Sequence, residues 1–312
     1  MKLIFTFLRR VVLLGSGILL KINLSYHLRR IFFGFAIRSI NGSMMFLDLK
    51  NDVGISKDLF IFGKREHVTT DFLIRERVIN DKEVILDIGA NIGYYALLES
   101  RLTGSSGIVY ALEPVSNNYR LLIKNIEINN VKNIKAFKLA AGQKSGEDYI
   151  FVANKGNISS FVFNDQVSYT KKEKVKVVRI DDFVREKNIT PTMIRMDVEG
   201  YEKEIVKGMV STLLKTPKLL IEMHPHIMKE PELVEMFSII EQSGYTKAVV
   251  IKERNELWMK KNGSVKPVLL FLTEKIEGIN NALGIGKLEV MNLGELQKTL
   301  DKRKSAFHVL LS

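Results

Sequence analysis

The chain has no cysteine. Disulfides, thiolate nucleophiles and cysteine-ligated zinc or iron–sulfur centres are therefore excluded, and the fold must hold by packing alone. A reducing compartment suits that composition. No repeat of fixed period and no low-complexity tract is present, so repeat architectures are excluded too. No apolar run reaches the roughly 20 residues that a membrane-crossing helix requires. In the apolar N-terminal region the uncharged stretch between Arg10 and Lys21 has only ten residues, with Gly15, Ser16 and Gly17 among them. It reads poorly as a secretory signal, because Lys21 interrupts it and no A-x-A site follows.

Acidic residues are missing altogether from residues 1–40, where Lys2, Arg9, Arg10, Lys21, Arg29, Arg30 and Arg38 stand unopposed. These seven make up more than half of the formal net charge of +12. Charge so localised argues against a nucleic-acid surface spread over the protein, and no nucleic-acid partner is expected. Two readings of this basic, apolar arm stand side by side. One is peripheral attachment to an anionic membrane surface, since interfacial helices combine an apolar face with Lys and Arg. The other is a helical pair packed on the main domain, or a contact with a second copy. The expected location is cytoplasmic, on the inner face of the membrane if the arm attaches there.

Three regions are expected: the arm at 1–40, short strands and a lead-in helix at 41–80, and a main domain at 81–312 with an insertion near 260–300. From residue 83 apolar runs alternate with helical segments. EVILDI, GIVYALEP, NIKAFKLAA, TMIRMDV and PKLLIEMH read as strands, and YYALLESRL, SNNYRLLIKNIEIN and YEKEIVKGMVSTLLK as helices. Ser116 is placed to cap the second of these helices. Near-continuous apolar strands separated by helices argue for a parallel sheet covered on both faces. Residues 147–165 break the rhythm and suggest an extra hairpin. YTKAVVIKE and SAFHVLLS suit an antiparallel pair near the edge.

The most informative stretch is VILDIGANIGYY at residues 84–95. In an open parallel sheet, ligands bind beyond the carboxyl ends of the strands, and Asp87, Gly89, Asn91 and Gly93 lie there. Glycine lets the backbone turn tightly and a ligand approach closely. A dinucleotide loop wants G-x-G-x-x-G; from Gly89, Asn91 stands where the second glycine belongs and Tyr94 where the third belongs. The pyrophosphate fit is poor. S-adenosylmethionine carries no phosphate; Asp87 suits its cationic part and the loop N–H groups suit its carboxylate. Glu113, ending the second strand in ALEP, can accept both hydroxyls of a ribose. Tyr94 and Tyr95 could edge the cofactor, with packing the favoured reading, and for Arg65-Glu66-His67 a surface ion pair stands ahead of a substrate contact.

DIGANIG, ALEP with Asn117 beyond it, RIDDF, MDVEGYE and LLIEMH occur in the order and spacing of the FkbM-type methyltransferases, which this chain resembles. GISKDL and GKRE upstream are similar as well, so the resemblance covers roughly residues 43–225. It implies a Rossmann-like class I methyltransferase fold: an α/β, seven-stranded, mostly parallel sheet with an antiparallel last strand and helices on both faces. It implies S-adenosylmethionine as cofactor, with Asp87, Gly89, Asn91, Gly93 and Glu113 as its contacts. It further implies O-methylation of a hydroxyl on a sugar, glycan or related small molecule, and the basic arm adds a lipid-linked acceptor to that expectation. The stretch AAGQKSG departs from the family in having no acidic residue for the adenine.

Methyl transfer from a sulfonium is an in-line displacement, and a base to take the hydroxyl proton assists it. The candidates end the middle strands. Alternation along a strand points Asp197 and Glu199 the same way, and Glu222 and His224 likewise. Asp197 or His224 is read as the base, with Glu199 and Glu222 orienting the acceptor or His224. The same groups could hold a divalent cation through oxygen ligands, which stands behind the metal-free reading. A nicotinamide-dependent oxidoreductase and a non-catalytic membrane-associated binding protein are the competing functions.

Overall fold

The computed structural model describes residues 21–22, 24–52, 54–153, 159–163, 167–225, 227–252, 287–300 and 306–312. The first twenty residues of the arm, and most of the insertion expected near 260–300, lie outside them. Residues 24–32 are helical. A hairpin follows, β1 (Phe35–Ile40) against β2 (Ser43–Asp48), then helices α1 (Ile55–Phe62) and α2 (His67–Arg75).

The main sheet begins at β3 (Val84–Ile88), followed by α3 (Tyr94–Thr103), β4 (Ile108–Leu112), α4 (Ser116–Ile128) and β5 (Ile134–Phe137). The chain then leaves it for a three-stranded sheet of β6 (Ala140–Gly142), β7 (Gly146–Ala153) and β8 (Tyr169–Arg179), with β8 in the middle. It returns through α5 (Ile180–Lys187) to β9 (Met193–Met196). Then come α6 (Glu202–Lys207), α7 (Val210–Leu213), β10 (Lys218–Met223), α8 (Glu230–Gln242) and β11 (Lys247–Lys252). The chain closes with β12 (Lys287–Asn292), α9 (Leu293–Leu300) and β13 (Phe307–Leu311). The sheet order is β12-β11-β13-β10-β9-β3-β4-β5. The five strands from β10 to β5 run parallel. Strand β13 is antiparallel to both β10 and β11.

This is the class I methyltransferase arrangement, with one addition and two local differences. The addition is an eighth strand: β12, from the expected insertion, pairs with the outer edge of β11. The first difference is that NIKAFKLAA is not one strand. The Leu139 N–H turns back to the Phe137 carbonyl at 3.0 Å, a γ-turn, and residues 140–142 pair with β8 instead. The second concerns α4, whose N-cap is Val115, not Ser116. Ser116 lies inside the helix, and its N–H donates to Glu173 of β8 at 3.0 Å. A carboxylate 57 residues away thus takes the place of the serine cap.

Strand alternation divides the core. Ile85, Val109, Ala111, Met193 and Leu220 face the side packed by the hairpin, α1, α2 and α3. Leu86, Ile88, Tyr110, Leu112, Ile194, Met196 and Ile221 face the side packed by α5 to α9. The same parity places Asp87, Arg195 and Glu222 on the first face, toward α3.

Candidate functional site

Beyond the carboxyl tips of β3, β4 and β9 lies a cleft lined by Gly89, Asn91, Glu113, Asn118, Ala141, Phe161, Asp197, Glu199 and Tyr201 among others. Its floor is the loop after β3. Gly89 has φ +84°, and a β-carbon there would stand 1.9 Å from the Asp197 carbonyl oxygen. Gly93 has φ +92°, and its β-carbon would meet Leu122 at 2.8 Å. Both glycines are thus required by backbone conformation and by close approach. Asn91 is also left-handed, at φ +51°, which Asn tolerates better than most residues. Its N–H donates to Glu113 Oε2 at 2.8 Å.

Glu113 is 3% exposed and faces this cleft. Its Oε1 accepts the Val115 N–H at 2.8 Å. Burial raises its pKa to about 7, against the pull of the two backbone N–H donors. Asp87 is placed differently. It lines neither this cleft nor the cavity beside it. Its side chain is fully buried, and Oδ1 accepts from Arg195 at 3.0 Å. Arg195 reaches Asp197 at 3.1 Å with its other nitrogen and stacks 3.9 Å over the Tyr95 ring. Burial raises the Asp87 pKa, opposed by Arg195. Asp87 therefore anchors the loop from behind, through Arg195, to the residue that follows β9.

A second cavity adjoins the first. It is lined by Arg65, Glu66, Gly89, Asn91, Tyr94, Tyr95, Arg195, Asp197, Glu199, Glu222 and His224 among others. Asp197 and Glu199 line both cavities and form the boundary between them. Glu199 is left-handed at φ +53°, and its carbonyl accepts the Ser160 hydroxyl at 2.7 Å. His224 is bonded through Nδ1 to Glu202 Oε1 at 2.8 Å, and its Nε2 lies 3.3 Å from Glu199 and 4.0 Å from Glu222. The two strand ends thus bring their pairs together as alternation predicts. Burial works against a charged imidazole, but the Glu202 bond and the surrounding carboxylates outweigh it, and the His224 pKa lies well above its ordinary value. Glu222 is raised to about 8, first by burial and then by repulsion from Asp197. Glu199 is raised to about 7, again chiefly by burial.

Four residues depart from the reading that ranked first in sequence, and His308 was not foreseen. Arg65 and Glu66 are wall residues of this cavity, not a surface pair, with side chains 21% and 12% exposed. Tyr94 and Tyr95 do more than pack: Tyr94 donates to the Arg65 carbonyl at 2.9 Å, and Tyr95 donates to Glu66 Oε2 at 2.6 Å. His308 sits opposite Glu222 in the β10–β13 register, with Nε2 3.2 Å from Glu66 and 3.7 Å from Glu222. The one available signal was the polar residue inside each apolar strand, Arg195 in MIRM and His308 in FHVLL. Among the described residues, two trios bring potential metal-ligand atoms together, Asp197–Glu199–His224 and Glu66–Glu222–His308. Arg195 and Arg65 already balance part of their charge.

The family model for the methyltransferase FkbM domain matches residues 87–247, slightly more than half of the 312-residue chain. Among curated proteins the chain is similar to "Methyltransferase 1" of Beauveria bassiana, 26% identical over 150 residues, covering 41% of this chain and 59% of that protein. It is also similar to the hexuronic acid methyltransferase AglP of Haloferax volcanii, 26% identical over 148 residues, covering 46% of this chain and 57% of that protein. The match spans less than two thirds of either relative's length. A solved precorrin-6y C5,15-methyltransferase from Geobacter metallireducens overlaps 79% of this chain and 85% of its own, with 13% identity and a TM-score of 0.38. On the family match, joined to the sheet order and the strand-tip cleft, the chain belongs to the FkbM methyltransferase family.

Proposed function

We propose that the protein transfers a methyl group from S-adenosylmethionine to a hydroxyl oxygen of a sugar or glycan. The observation that carries this reading is the shared wall: Asp197 and Glu199 border both the strand-tip cleft and the acidic cavity. The residues of the cleft suit the cofactor. Glu113 would accept the ribose hydroxyls, and Gly89, which lines the cleft, lets the loop close on the Asp197 carbonyl so that the floor under the nucleoside keeps its shape. Tyr94 occupies the place where a dinucleotide loop needs its third glycine, and is 6% exposed. When bound, the cofactor supplies an electrophilic methyl carbon on a sulfonium.

The acidic cavity suits hydroxyl donors. Glu66, Asp197, Glu199 and Glu222 offer carboxyl oxygens from three segments of the chain, which suits the several hydroxyls of a sugar. Arg65, Arg195 and His224 stand among these carboxyls, so the cavity takes a sugar with or without a charged group, and the relative named for a hexuronic acid supports a sugar acceptor. Asp197 is assigned the base, because it stands at the boundary and borders both cavities. His224, held charged by Glu202, is assigned the orienting role for Glu199. The test is formation of S-adenosylhomocysteine with candidate acceptors, hexosides and hexuronosides against non-sugar alcohols. Turnover with either sugar set supports the reading. Turnover with none of the sugars contradicts it.

A further inference from the structure

We propose that residues 24–37 form a docking face for an anionic lipid surface. Among the described residues, the helical stretch at residues 24–32 packs on the protein through one side. Tyr26 is 1% exposed, packs on Phe60 of α1 and carries Lys57 over its ring. Ile22, one turn earlier, packs against the same core. The opposite side carries Leu24, Leu28, Ile31 and Phe32, spaced i, i+4, i+7 and i+8, which is one stripe of a helix. These side chains are 58%, 46%, 74% and 73% exposed. Phe33, Phe35 and Ile37 extend the patch onto β1, and Phe35 stacks on Phe46 across the hairpin. An apolar surface of this extent, left open, marks a place of contact.

Charge decides the occupant. Lys21, Arg29 and Arg30 are exposed on the same helical stretch, and the first acidic residue of the chain is Asp48. Pairing two copies through this face would set like charges against each other with no acidic partner to relieve them. A bilayer with anionic headgroups meets both requirements: its acyl boundary takes the apolar stripe, and its surface potential attracts the flanking cations. No helix among the described residues is long and apolar enough to cross a membrane. This inference concerns where the protein sits, and stands whether or not the acceptor is a sugar.

The test uses the full chain in flotation with two vesicle types, phosphatidylcholine alone and an equimolar mixture with phosphatidylglycerol. Wild type floats with the mixture and not with phosphatidylcholine alone. Ile31→Asp with Phe32→Asp, at positions that touch solvent, abolishes flotation while leaving S-adenosylhomocysteine binding and the circular dichroism melt unchanged. Arg29→Gln with Arg30→Gln weakens binding to the mixture by about thirtyfold, at about fivefold per basic residue near an anionic surface. Three results overturn the proposal: no flotation of wild type, flotation indifferent to both double variants, or a dimer in solution that Ile31→Asp with Phe32→Asp dissolves without changing lipid binding.

Discussion

The two cavities that meet at Asp197 are built by different means. The strand-tip cleft is a product of backbone: two glycines at positive φ, an asparagine in the left-handed region, and one carboxylate bonded to loop N–H groups. The acidic cavity is a product of side chains: carboxylates, two arginines and two histidines from α1's exit, β9, β10 and β13. A backbone-made site depends on local sequence and reads as a motif. A site made of side chains depends on which strands become neighbours, and no short motif encodes that.

The difference can be broken at the boundary first. Asp197→Asn keeps the shape of both cavities and removes the assigned base. Turnover should fall about 10²–10⁴-fold, the usual worth of a general base, while the dissociation constant for S-adenosylhomocysteine changes by less than about threefold. Calorimetry alongside steady-state rates separates the two quantities, and unchanged turnover would return Asp197 to a purely structural role. The next effect belongs to the backbone-made side. Gly89→Ala drives a β-carbon into the Asp197 carbonyl in a conformation that alanine resists. Stability should drop by about 1–3 kcal/mol and cofactor affinity by at least about tenfold, read by thermal melts with and without S-adenosylhomocysteine.

Smaller effects sharpen the contrast. Glu66→Gln keeps the volume and removes one charge from the acidic wall. The acceptor KM should rise about tenfold with cofactor affinity unchanged, and a loss of cofactor affinity instead would mean that the two cavities are not separate in function. Glu113 answers to pH. Burial has raised its pKa to about 7, so it is ionised above that value and protonated below it. The ionised form accepts two hydroxyls, so affinity for S-adenosylhomocysteine should weaken by up to about tenfold as pH falls from roughly 8 to 6. Glu113→Gln should bind more weakly and show a flat profile across that range.

The sequence alone made much of this architecture readable, and the reasons are local. The Gly89–Gly93 loop, Glu113 twenty residues later, and the pairs Asp197/Glu199 and Glu222/His224 all follow from strand period and loop chemistry. What stayed hidden was long-range pairing. Glu222 faces His308 only because β13 inserts antiparallel beside β10. Glu173 replaces Ser116 at the head of α4 only because β8 lies against that helix end. Arg65 and Glu66 looked like surface charges because nothing nearby in sequence shows that Tyr94 and Tyr95 would hold them in the wall. Asp87 looked like a cofactor contact because it ends the strand before the loop. Strand parity turns it toward Arg195.

The central claim is that a sulfonium nucleoside, and not a dinucleotide, occupies the strand-tip cleft. Isothermal titration of the full chain with S-adenosylhomocysteine and with NAD, each repeated on Gly89→Ala, tests it most directly. The account predicts saturable binding of S-adenosylhomocysteine, weakened by the substitution, and no heat from NAD. Binding of NAD in its place, or S-adenosylhomocysteine binding untouched by a β-carbon at residue 89, would contradict it.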